Sequence, residues 1–85
     1  MTLEHFVSLI PHNGPHMLQR LMRIQPPAGS VYSEDILDDR SRAAAAWLRG
    51  YMHALHDLGR IADEDGDSIH TAISRWEARP HQFEG

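Results

Sequence analysis

His53, His56 and Asp57 stand at i, i+3 and i+4, a spacing that on a helix gathers metal-ligand side chains on one side. Neither a structural nor a catalytic zinc site is complete with them, and a further ligand has to arrive through folding, from His70 or His5. The expectation is exposed, solvated histidines, no metal and no cofactor. The run Asp63-Glu64-Asp65-Gly66-Asp67 has the composition of a calcium loop without its register. With Gly66 at the turn glycine, Ile61 and Ala72 fall at the end positions where carboxylates are required. Ser8, Ser30, Ser33, Ser41, Ser68 and Ser74 read as caps, turn residues or helix-surface residues, and no nucleophile elbow, phosphate-binding glycine loop or HExxH pair is present. The chain is read as non-enzymatic, with a metal-dependent enzyme the least supported alternative.

Binding chemistry is better represented. At 100° per residue, Arg42, Arg49, His53, His56 and Arg60 fall in one stripe within about 40° of its centre line. Arginine presents a planar fork to carboxylates and phosphates, and histidine adds pH dependence, so the stripe reads as a contact surface for an acidic protein or a phosphate backbone. The competing reading is a solvated face balanced by the chain's own carboxylates. All eight basic residues other than histidine are arginine. A net charge of -4 works against generic attraction to a polyanion and favours basic partners.

These side chains need helices to present them. Thr2 is placed to cap a short helix carrying Leu3, Phe6, Val7 and Ile10 at helical spacing, which Pro11 ends. Pro15 opens a second helix, running to about Gln25, with Met17, Leu18, Leu21 and Met22 along one side. The loop Gln25 to Ser30 contains consecutive prolines. Ser33 with Glu34 and Asp35, or alternatively Asp38 with Asp39, starts the long central helix, so that residues 31 to 38 form either its first turns or a separate turn. The central helix is expected to end near Leu58, with Gly59 in the left-handed position beyond it and Ile61 folding back. Its core side is read as Trp47, Leu48, Tyr51, Leu55 and Leu58, with Met52 at the margin. The small residues Ala46, Gly50 and Ala54 form a ridge suited to close helix packing or to a homodimer. Asp63 to Asp67 is expected as an acidic connection, and Ile69, Ile73 and Trp76 mark a last helix that stops before Pro80. The fold class is all-α: a small bundle of about four helices around one long central helix, one domain over residues 1–79 with a flexible tail over 80–85.

Composition sets the remaining bounds. With 41% apolar and 24% charged residues the chain has globular rather than disordered character, and without cysteine it has no disulfide framework to support its small core. No signal peptide is evident and no apolar run approaches the roughly 18 residues that cross a bilayer, so a cytoplasmic protein without a membrane partner is expected.

The stretch from Ala46 to Ile61, AWLRGYMHALHDLGRI, resembles the helix-hairpin segment of small helical accessory proteins of bacterial phages and mobile elements, such as anti-CRISPR inhibitors. The resemblance covers about a fifth of the chain and carries over no functional residue. It implies a non-enzymatic inhibitor or adaptor that occludes a host protein, such as a defence complex, sometimes competing with nucleic acid through acidic patches. In that role stand Glu34, Asp35, Asp38 and Asp39, and Asp63, Glu64, Asp65 and Asp67. A protein is therefore the first partner expected. Nucleic acid is the second, through a helix-turn-helix-like N-terminus in which His16, Gln19, Arg20 and Arg23 face DNA, as in a small transcriptional regulator.

Overall fold

A computed structural model describes residues 1–26, 29 and 31–78, and residues 27, 28, 30 and 79–85, including the expected tail, lie outside the described residues. Among the described residues there are four helices and no strand: α1 Leu3–Ser8, α2 Gly14–Leu21, α3 Glu34–Asp57 and α4 Asp63–Glu77. No helix among them is long and apolar enough to cross a membrane.

Local chemistry accounts for most of the boundaries. The Thr2 hydroxyl accepts from the His5 N–H at 3.0 Å and starts α1. At the corner between α1 and α2 the chain passes so close to itself that a Cβ on Gly14 would stand 2.3 Å from the Val7 carbonyl oxygen. Glycine alone fits there without a shift. α2 ends at Leu21, a turn earlier than its apolar spacing predicts, because Arg23 adopts a left-handed conformation with φ 60°. The Ser33 hydroxyl then accepts from the Ile36 N–H at 3.3 Å and starts α3 directly, so residues 34 to 38 are its first turns and no separate turn precedes it. Gly59, with φ 76°, reverses the chain after α3, and Ile61 folds back into the core as expected. The acidic run Asp63 to Asp67 is the first turns of α4 and not a connection, its carboxylates placed where the positive end of the helix dipole favours them.

α3 packs between α2 and α4, and α1 closes the bundle against α2 and α4. The core joins Phe6 and Val7 of α1, Leu21 of α2, Ala44, Ala45, Leu48 and Met52 of α3, and Ile69 and Ile73 of α4. This corrects the expected core side of α3. Its buried line is Ser41, Ala45, Leu48 and Met52, turned by roughly 110° from the line through Trp47, Tyr51 and Leu58. Trp47, Tyr51 and Leu55 are half-buried at the margin, and Leu58 is 72% exposed. The physical reason is interhelical distance: a Ser and Ala face lets α3 approach two neighbours at once, which a Trp and Tyr face does not. Ser41 is fully buried, contrary to its reading as a cap or surface residue, and its hydroxyl donates to the Leu21 carbonyl at 2.7 Å. That bond satisfies a carbonyl left open at the end of α2.

Candidate functional site

The rotation of α3 changes what the arginine and histidine stripe is. Its Arg49 and His56 contact α4, whereas Arg42, His53 and Arg60 stay on the exposed surface. Arg49 is 23% exposed, pairs with Glu77 at 2.6 Å and donates to the Ser74 hydroxyl at 3.0 Å, while its buried Nε has no hydrogen-bond partner among the described residues. Arg49 is therefore part of the α3/α4 packing. His56, in the last turn of α3, shares a 2.5 Å hydrogen bond with Asp63 in the first turn of α4. That bond raises its pKa above 6.5 against the opposing effect of desolvation, and the charges of Asp63, Asp57 and Asp67 add to the rise. Arg42 pairs with Asp39 one turn away on the exposed surface. His53 and Arg60 are exposed. Three of the five stripe residues thus meet the chain's own carboxylates.

The acidic clusters do not form one surface. Arg23, from the end of α2, donates to Asp38 in α3 and to the Trp76 and Glu77 carbonyls at the end of α4, whereas His56 joins the end of α3 to the start of α4. The two long helices are therefore antiparallel, with Glu34, Asp35, Asp38 and Asp39 at one end of the pair and Asp63, Glu64, Asp65 and Asp67 at the other. Asp65 also accepts from the Met1 amino group at 2.9 Å. Ala46, Gly50 and Ala54 lie on the exposed side of α3, where a Cβ on Gly50 would meet nothing within 4 Å, so the ridge is not used in packing within the bundle. Among the described residues no group of three ligand-type side chains converges to hold a metal ion.

Sequence reasoning named His16, Gln19 and Arg20 as facing DNA but missed that they line, with Arg40, a groove between α2 and α3. Its inner part, of about 200 Å³, is lined by Met17 and Arg20 of α2 and by Arg40, Ala43, Ala44 and Trp47 of α3. A second part, of about 160 Å³, shares Arg20 and Arg40 and adds His16, Gln19, Ile24 and Pro26. Among the described residues no carboxylate lines either part and neither arginine makes an ion pair. A signal was available in the sequence: the residues three and four places from Arg20 and from Arg40 include no Asp or Glu. The Arg40 guanidinium sits over the Tyr32 ring, 4.8 Å from its centroid, and the Tyr32 backbone is held by both ends of the Gln25 amide at 2.8 and 2.9 Å. Trp47 packs on Tyr51 with ring centroids 5.4 Å apart. A larger cleft, of about 370 Å³, lies between the start of α1 and α4, where Arg75 shares the lining with Glu4. Its mixed charge favours no ligand class, so the α2/α3 groove is the better candidate. Compared with known proteins, the chain matches no family model, no curated protein and no solved structure.

Proposed function

We propose that this chain is a non-enzymatic adaptor or inhibitor that holds a partner protein on its α2/α3 side. The observation that carries this reading is the pair of adjoining clefts sharing Arg20 and Arg40, with Trp47 and Met17 in the inner one. Tryptophan, methionine and arginine are the residue types enriched where proteins bury surface against each other, and arginine and tryptophan dominate interface hot spots. Leu58, exposed on the same side of α3 as Trp47 and Tyr51, extends the apolar line beyond the groove. Within the bundle Arg23 is committed to Asp38 and to the end of α4, which takes it away from the DNA-facing set and leaves a weaker basis for a regulator.

A photo-crosslinking residue in place of the exposed Ala43, on the wall of the groove, tests the reading in the native host. The expected result is a discrete crosslinked protein that is absent when the same residue replaces Ala62, which is exposed at the start of α4. Equal crosslinking from both positions, or none from Ala43, refutes it.

A further inference from the structure

We propose that the α2/α3 groove receives an acidic segment of the partner protein, in which a carboxylate stands beside an apolar side chain. This rests on the reading of the groove as a protein-binding surface. The carboxylate is received between Arg20 and Arg40, and the apolar side chain lies against Trp47 and Met17.

Charge complementarity carries the choice. Among the described residues neither arginine of this groove pairs with a carboxylate, while Arg42 and Arg49 are each paired. Arg20 and Arg40 come from different helices yet line both parts of the groove, so an acceptor bound there is within a cleft that two arginines share. Arg40 is already held by the Tyr32 ring, which lowers the ordering cost of binding. The adjoining Trp47, Met17 and Ala43 present no charge and suit an apolar neighbour of that carboxylate. A nucleic-acid backbone is disfavoured by the same distribution. It carries a regular row of charges past the groove, where the net charge of -4 and the carboxylates at both ends of the α3/α4 pair repel it.

The test measures binding of a fluorescently labelled Glu/Leu peptide to the full chain, beside its neutral Gln/Leu counterpart and a labelled short DNA duplex. The Glu/Leu peptide is expected to bind, the neutral peptide at least about thirtyfold more weakly, which is the effect of one interface hot spot. Arg20→Gln combined with Arg40→Gln should remove that preference with helicity unchanged, and Trp47→Ala should weaken both peptides. If the double variant loses helicity, Arg20→Gln alone, at an exposed position, carries the test. Equal affinity for both peptides, indifference to the arginine variants, tighter binding of the duplex, or a groove-dependent dimer that excludes the peptide each overturns the proposal. Crosslinking from Ala43 separates the two levels. A protein captured there equally by the wild type and the double arginine variant leaves the binding function standing and refutes the acidic segment, whereas no capture by the wild type refutes the binding function itself.

Discussion

Arg49 shows how far one residue's role depends on what its helix packs against. Read on an isolated helix it is the centre of a contact stripe, and Arg49→Glu is then expected to leave stability unchanged. In the bundle it bridges α3 to Glu77 and Ser74 of α4 with little exposure, so the same substitution sets two carboxylates against each other. The pair lies between the exposed and the fully buried cases, and Arg49→Glu should cost about 1 to 3 kcal/mol. Urea unfolding checks this, and an unchanged midpoint would return Arg49 to the surface. His56 carries a second prediction. Its folded pKa is raised above the ordinary 6.5, chiefly by the hydrogen bond to Asp63. The stabilisation is therefore fully present below about pH 6.5 and is lost as pH rises through the raised value. The melting temperature of the wild type should fall across that rise relative to Asp63→Asn, and parallel pH profiles of the two proteins would refute the coupling.

At the scale of elements, the decisive fact is the rotation of α3. Leu48 has no exposed surface, whereas Leu58, also expected in the core, is 72% exposed. Leu48→Ala should therefore cost about 2 to 5 kcal/mol, and Leu58→Ala no more than about 0.5 kcal/mol. Comparable losses from the two, measured by denaturant titration, would restore the Trp47, Tyr51 and Leu58 side as the core. The same rotation leaves Trp47 half-exposed beside Arg20 and Arg40, so the groove is a consequence of which side of α3 is buried. The early end of α2 contributes as well, because the turn at Arg23 brings Ile24 and Pro26 to the groove's outer part.

For the molecule as a whole, Arg23 is the residue that closes the bundle. Its backbone turns the chain out of α2, and its guanidinium joins the start of α3 to the end of α4 through Asp38 at 2.7 Å and the Trp76 and Glu77 carbonyls at 2.7 and 3.2 Å. Hydrogen bonds to a charged group contribute more than neutral ones, so Arg23→Ala should lose about 2 to 4 kcal/mol. Arg23→Lys should recover less than half of it, since an ammonium lacks the fork. Arg23→Gly should be less damaging than Arg23→Ala by about 1 kcal/mol, because glycine accepts the left-handed backbone. Chemical denaturation of the three variants separates the backbone contribution from the side-chain one. If Arg23→Ala unfolds with the wild-type midpoint, Arg23 is not a link between these helices.

What the sequence determined by itself was local. Apolar residues at helical spacing, the Thr2 and Ser33 caps, Pro15 and Gly59 locate four helices within a few residues, because those signals act between neighbours along the chain. The left-handed turn at Arg23 carries no such signal, since arginine has no preference for it and its side chain's partners lie 15 and more than 50 residues away. The buried side of α3 was likewise decided in three dimensions. Large apolar residues dominate any helical projection, yet Ser41, Ala44 and Ala45 became interior because two helices had to approach α3 closely. That choice turned the expected binding stripe toward α4, where two of its charges meet Glu77 and Asp63, and left Arg20 and Arg40 lining one groove between α2 and α3. Their lack of acidic neighbours is written in the sequence, but their meeting required the fold.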